Sequence, residues 1–170
     1  MSLAGRHVVV MGVSGCGKST LGALLARRYG VPFAEGDEFH SDASRAKMAA
    51  GIPLTDEDRW PWLHRLADWM SEREGSGSVV SCSALRRAYR EILDSAEGDV
   101  TFVHLDVPEE ELARRMSART GHYMPPSLLA SQLATLEPLT PAEDGHVLSA
   151  ASPAAELADE VAARLAARDR

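Results

Sequence analysis

Residues 12–19 read Gly-Val-Ser-Gly-Cys-Gly-Lys-Ser. They stand between the apolar, β-branched run Arg6–Met11 and a stretch in which Leu21, Leu24 and Leu25 recur at helical spacing. A glycine-rich turn between a buried strand and a helix points successive backbone N–H groups inward, beside the positive end of the helix dipole. The spacing Gly-x-x-x-x-Gly-Lys-Ser is that of a phosphate-binding loop, found in its required strand–helix context. Gly12, Gly15 and Gly17 supply the tight turn, and the backbone of Val13, Ser14 and Cys16 completes the cradle. Lys18 is expected to reach the β- and γ-phosphates of a nucleoside triphosphate, and Ser19 to ligate Mg²⁺ directly through its hydroxyl. Thr20 is placed to contact the α-phosphate.

The rest of the chain alternates strand and helix signals. Strands are expected at Arg6–Met11, Val31–Ala34, Ser78–Cys82, Val100–Val107 and His146–Leu148. Helices are expected from Lys18 to a stop at Gly30, and over Ser41–Ala50, Asp56–Glu74, Arg86–Ser95, Glu109–Arg119, Leu128–Leu136 and Pro153–Ala167. Pro61 is tolerable early in its helix, where N–H groups lack partners anyway. This alternation implies an α/β fold, a five-stranded parallel sheet flanked by helices in three layers. Ligands in such sheets bind at the strands' carboxyl edge. The 170 residues suit one domain, with a substrate-binding helical segment at about 38–75 and a mobile lid at about 115–128.

Composition narrows the function classes. The net charge of −7 argues against nucleic acid as the main partner. No apolar stretch approaches the roughly 20 residues that span a bilayer, and the short apolar run after Arg6 does not make a signal peptide. A cytoplasmic location is expected, with no membrane partner. Cys16 and Cys82 lack metal-ligand spacing and read as free thiols.

A GTPase would need a guanine-reading Asn-Lys-x-Asp motif, which the chain lacks. A motor-type ATPase would carry a strand ending in acidic residues, whereas Val79–Cys82 runs into Ser-Cys-Ser. A small kinase is left. Such an enzyme needs acidic groups near the second strand's end, a substrate cradle, mobile arginines and exclusion of water during transfer. Glu35-Gly-Asp-Glu-Phe-His40 follows the second strand directly. Asp37 is the candidate base for the substrate hydroxyl, against a helix cap as the alternative. Glu35 is the candidate for holding Mg²⁺ through water, against a solvated carboxylate. Arg114, Arg115 and Arg119 lie on one helix leading into Thr120-Gly-His-Tyr-Met-Pro-Pro126, and Arg115 and Arg119 share a face. They read as nucleotide and lid arginines, or as a solvated charged face.

In order along the chain, five stretches resemble the gluconate kinase (gluconokinase) family, relatives of shikimate kinase. They are the phosphate loop, Glu35–His40, Lys47-Met48-x-x-Gly51-Ile-Pro-Leu-Thr-Asp-Glu-Asp-Arg59-x-Pro-Trp-Leu63, Cys82-Ser-Ala-Leu-Arg86-x-x-Tyr-Arg90, and Arg119-x-Gly-His-Tyr-Met124 with Ser131-Gln132-x-x-x-Leu-Glu-Pro138. The resemblance implies the P-loop kinase fold and phosphorylation of D-gluconate at its 6-hydroxyl by ATP and Mg²⁺. It also suggests a homodimer, and supply of 6-phosphogluconate to the pentose phosphate or Entner-Doudoroff route. Catalysis would then rest on Lys18, Asp37 and Arg119. Arg59 and Arg86 offer forked donors to the carboxylate, and His40, Lys47 and Gln132 can bond hydroxyls. For Arg59 a salt bridge to Asp56 or Asp58 is the competing reading, and for His40 a helix-start contact. Trp60 and Trp62 read as packing residues, with sugar platforms as the competing reading. Ser41 and Ser44 depart from the family's Pro and Asn, and in the tail Glu143-Asp-Gly-His-Val-Leu-Ser-Ala150 the acidic residue expected after the last strand is missing. A kinase of another polyol acid or of a hydroxylated antibiotic, and a non-catalytic nucleotide-binding module, are the competing classes.

Overall fold

The computed structural model describes residues 2–118 and 126–169. Five parallel strands lie in the order β2-β3-β1-β4-β5. They are β1 (Arg6–Met11), β2 (Phe33–Glu35), β3 (Ser78–Ser81), β4 (Asp99–Asp106) and β5 (Gly145–Ser149). The helices are α1 (Lys18–Tyr29), α2 (Asp42–Ala49), α3 (Asp56–Ser71), α4 (Arg87–Asp94), α5 (Glu109–Ala118), α6 (Pro126–Thr135) and α7 (Ala154–Arg168). β1 is the central strand: Val8 pairs in register with Val79 of β3 and with Thr101 of β4.

Val8, Val9, Val10 and Met11 are all fully buried. A strand buried on both faces reads as a continuous apolar run, so helices must cover both sides of the sheet. α1 packs on α7, and α3 packs on α4. The core is built mainly from Val, Leu, Ala and Met, with Trp62 and Tyr89 as its large aromatics.

The expected elements are present, with boundaries that the structure moves. The second strand begins at Phe33 rather than Val31, because Val31 N–H bonds Ala26 O at 3.0 Å while Gly30 turns left-handed at φ 65°. Val31 therefore closes α1 in a Schellman-type end. α3 ends at Ser71, and residues 72–76 turn toward β3. A 3₁₀ turn, Gly36–Phe39, follows β2 where the sequence signals no element. Ser41, one of the departures from the family pattern, caps α2 by accepting from Ser44 N–H at 3.1 Å. The expected loop at 120–126 falls almost wholly outside the described residues.

Candidate active site

The phosphate loop closes over its own helix. Gly12 has φ 141°, and a Cβ there would stand 2.8 Å from Cys16 Sγ and 3.0 Å from Leu105 O, so only glycine fits. Lys18 Nζ donates to Val13 O at 3.0 Å, holding its ammonium against the loop. Gly12 N–H bonds Ser83 O at 3.2 Å, which ties the loop to the segment after β3. Two further contacts come from the far side of the chain. Ser14 N–H donates to Gln132 Oε1 of α6 at 2.8 Å. Arg115 of α5 donates to Gly15 O and to Ala150 O, each at 3.1 Å, and pairs with Glu111. Thr20 is exposed on the first turn of α1.

Beside the loop, Ser19 Oγ donates to Glu35 Oε2, and Glu35 Oε1 accepts from Ser81 Oγ at 2.5 Å. One carboxylate thus joins α1 to the carboxyl ends of β2 and β3. Among the described residues no group of three or more His, Cys, Asp or Glu side chains could cage a metal ion. A hydroxyl next to a single carboxylate is a hard-oxygen donor set that fits Mg²⁺, which keeps several waters and takes phosphate oxygens as ligands. The Cys82 thiol is buried, and desolvation above all pushes its pKa up to about 12. The charges of Asp37 and Glu35 add to that rise, and the charge of Lys18 opposes it.

Asp37 is exposed on the 3₁₀ turn. The turn is held from outside, by side chains bonding its carbonyls. Trp62 Nε1 donates to Gly36 O at 2.8 Å, Arg45 to Glu38 O at 2.6 Å, and Arg65 to Phe39 O through Nε at 2.9 Å and Nη2 at 2.7 Å. A Cβ on Gly36 would lie 2.2 Å from Ser81 O, so the turn presses directly on β3. His40 is buried and stacks on Trp62 with ring centroids 4.0 Å apart. Burial first, and then the charges of Arg59, Arg45 and Arg65, bring its pKa down to about 4. Its Nδ1 is buried without a partner among the described residues.

A second cluster surrounds Tyr89 of α4. Arg59 Nη1 donates to Leu54 O at 2.7 Å and to Tyr89 Oη at 3.1 Å. Neither Asp56 nor Asp58 pairs with Arg59. Asp56 instead accepts from Tyr89 Oη and lies 3.6 Å from Arg86. Asp58 closes a capping box with Thr55 and pairs with Lys47 at 2.8 Å, so the Lys47 ammonium already has a carboxylate partner. Trp60 packs edge-on to Tyr89. Arg90, fully buried, forms a salt bridge with Glu143 at 2.5 Å and donates to Ala84 O at 2.8 Å. Ala84 has φ 46°, so the segment between β3 and Arg86 adopts a left-handed kink over this buried pair.

The structure thus gathers Gly12, Val13, Ser14, Gly15, Cys16, Gly17, Lys18, Ser19, Glu35 and Asp37 at one sheet edge. Arg115 and Gln132 lie against the phosphate loop, and Gln132 holds a loop N–H. Arg59 and Arg86 share the Tyr89–Asp56 cluster. Arg119 and His122 lie outside the described residues. The sequence assigns no role to Ser81, Arg65 or Arg45 and reads Trp62 as packing or a sugar platform, not as a donor to the turn. A Ser beside a Cys in a strand carries no local signal that it bonds Glu35 of another strand, nor does an Arg on a helix signal that it bonds a carbonyl of the turn, 7 residues away for Arg45 and 26 for Arg65.

Comparisons with known proteins bear on the family and the fold. The shikimate kinase family matches residues 14–166. The gluconokinase of Gluconobacter oxydans (strain 621H) is 51% identical over 150 residues, 87% of this chain and 83% of that protein. The solved structure of a gluconokinase from Sinorhizobium meliloti 1021 superposes with a TM-score of 0.88 at 47% identity, covering 98% of this chain and 94% of that one. Shikimate kinase from Aquifex aeolicus vf5 is alike in fold alone, with a TM-score of 0.62 at 20% identity over 96% of this chain and 98% of that one.

Proposed function

The chain belongs to the shikimate kinase family and, within it, to the gluconokinases, and we propose that it transfers the γ-phosphoryl group of ATP to the 6-hydroxyl of D-gluconate through the residues converging on the end of β3. It is a phosphotransferase acting on an alcohol group, built on a five-stranded parallel P-loop kinase fold. The observation that carries the residue assignment is Glu35, which bonds Ser19 of the phosphate loop and Ser81 of β3 and stands two residues before Asp37 at the same sheet edge.

The phosphate loop from Gly12 to Thr20 holds the triphosphate, and Lys18 stands ready to leave Val13 O for the phosphate oxygens. Ser19 would hold Mg²⁺ directly and Glu35 through water; the ion neutralises phosphate charge and orients the transferring group. Asp37 accepts the proton of the substrate's terminal hydroxyl. Its exposure at the mouth of the site supports that role, because the base must meet a ligand rather than a core partner. Arg59 and Arg86 take the carboxylate, and His40, Lys47 and Gln132 are hydroxyl contacts, Lys47 in exchange with Asp58. Arg115, which touches both the loop and Ala150, lies on the nucleotide side, and Arg119 approaches the transferring group from the lid at about 115–128. The substrate side is the helical segment at about 38–75 within a single domain of residues 1–170.

Among the described residues no helix is long and apolar enough to cross a membrane. A cytoplasmic homodimer making 6-phosphogluconate for the pentose phosphate or Entner-Doudoroff route completes the proposal. A coupled assay with gluconate and ATP tests it. Turnover of another sugar acid with gluconate inert would overturn the substrate, and an Asp37→Asn variant with near-normal kcat would overturn the base.

A further inference from the structure

Of the cations on the acceptor side, Arg59 is held in an unusual way. Its Nη1 is anchored twice, to Leu54 O at 2.7 Å and to the phenol oxygen of Tyr89 at 3.1 Å. Its carbon Cζ also lies 5.2 Å from the centre of the Tyr89 ring. Among the described residues Nε and Nη2 carry no hydrogen bond, so one edge of the guanidinium fork stays available. The nearby acid that would otherwise cap this edge is Asp56, three residues earlier on α3. Tyr89 intercepts it: the phenol donates to Asp56 Oδ1 at 2.5 Å while accepting from Arg59. The other oxygen of Asp56, Oδ2, faces Arg86 Nη1 at 3.6 Å. The order is therefore Arg59, Tyr89, Asp56, Arg86, with one neutral hydroxyl between a cation and an anion.

Tyr89 is 1% exposed and is braced edge-on by Trp60 at 5.7 Å, so its hydroxyl has a fixed position. Burial, and next the hydrogen bond to Asp56, raise its pKa, which keeps the phenol protonated and able to donate.

We propose that Tyr89 is a positioning residue for acceptor recognition, keeping Asp56 off Arg59 so that the free edge of Arg59, together with Arg86, receives the carboxylate of the sugar acid. The inference rests on the carboxylate reading of those two arginines given above. Its physical basis is that a bidentate carboxylate site needs a guanidinium edge that is oriented yet unneutralised. An internal ion pair between Asp56 and Arg59 would orient the fork and neutralise it together. A phenol orients it without adding charge. A neutral polyol gains nothing from this arrangement, so the tyrosine contributes to selectivity as well as to affinity.

The test is a kinetic cycle with gluconate and ATP on the full chain. Arg59→Met should raise the KM for gluconate about 100-fold, the scale of losing charge-assisted bonds to a ligand, and leave the KM for ATP unchanged. Tyr89→Phe, which keeps the ring and its packing, should raise the gluconate KM about tenfold with kcat and the ATP KM nearly unchanged. The double variant should be no worse than Arg59→Met alone, since Tyr89 acts through that arginine. Asp56→Asn, which removes the charge that Tyr89 holds away, should leave the gluconate KM nearly unchanged, and added to Tyr89→Phe it should restore most of the lost affinity; urea midpoints of all variants show whether the fold is kept. An unchanged gluconate KM in Arg59→Met would overturn the carboxylate reading together with the proposal. A rise in Arg59→Met without one in Tyr89→Phe, or a rise in Tyr89→Phe that Asp56→Asn does not reverse, would overturn the role of Tyr89 alone. So would multiplicative effects in the double variant, which would mark Tyr89 as packing only.

Discussion

The phosphate loop and the 3₁₀ turn after β2 stand side by side at one edge of the sheet, yet glycines set the shape of the first, with Gln132 and Arg115 as braces, while side chains on its carbonyls aim the second. The loop is shaped by its own glycines and bonds its own Lys18 through Val13 O. The turn closes on itself through one long bond, His40 N–H to Asp37 O at 3.4 Å. Its carbonyls are held by Trp62, Arg45 and Arg65, and its glycine is pressed onto β3. A phosphate group is the same in every nucleotide, so backbone N–H groups suffice to cradle it. An acceptor differs from kinase to kinase. A turn aimed by side chains from separate helices can be re-aimed without disturbing the donor site.

The largest effects should come from the charges each region contributes. Lys18→Ala should lower kcat/KM by about 10³, the scale of losing one preorganised donor at developing charge. Asp37→Asn should lower kcat by about 10²–10⁴ with the ATP KM almost unmoved, the scale of general base catalysis. Both should melt within a few degrees of the parent. Loss of ATP binding in Asp37→Asn would erase the division between donor loop and acceptor turn.

Glycine replacements sharpen the contrast. Gly36→Ala places a methyl 2.2 Å from Ser81 O. It should cost about 3 kcal/mol, at the upper end for overpacking, read as a lower urea midpoint. Gly17→Ala meets nothing within 4 Å but sits at φ 97°. Its cost should be about 1–2 kcal/mol, from the left-handed backbone alone. Equal costs would mean that the turn can give way where it touches β3.

Trp62→Phe removes the bond to Gly36 O and keeps a ring beneath His40. It should cost about 1 kcal/mol of stability, the net worth of one hydrogen bond, and lower kcat while the ATP KM holds.

A pH dependence to which the turn contributes completes the set. His40 titrates at about 4 in the folded chain against an ordinary 6.5, so the unfolded chain binds its proton first on acidification. Its contribution to stability is complete above pH 6.5 and is lost as pH falls through 4. Burial lowers His7, His104 and His146 in the same sense. Urea midpoints should fall between pH 7 and pH 4.5, with a shallower fall in His40→Asn. An identical slope in that variant would assign the acid sensitivity to the other histidines.

How far each region could be read from sequence follows the same division. The strand–loop–helix unit of β1 and α1 is a local object, and its position was legible to the residue. The strand before the turn was displaced by two residues, because the end of α1 took Val31 through a bond to Ala26 O. Arg59 was expected to face either substrate or a neighbouring acid. The structure shows a third arrangement, a phenol 30 residues away that stands between the arginine and Asp56. Gln132 was read as a hydroxyl contact and is found holding Ser14 N–H across 118 residues. Arg90 carried no assigned role and proves to be a buried partner of Glu143.

By itself the sequence determined the fold class, the phosphate loop and the residue types available to an acceptor, because glycine placement and apolar periodicity act within a few residues of where they are written. Only the tertiary structure decided which acid meets which cation and what aims Asp37. Those choices depend on side chains brought together by helix packing, and a single neutral hydroxyl in the right place changes which charges neutralise one another.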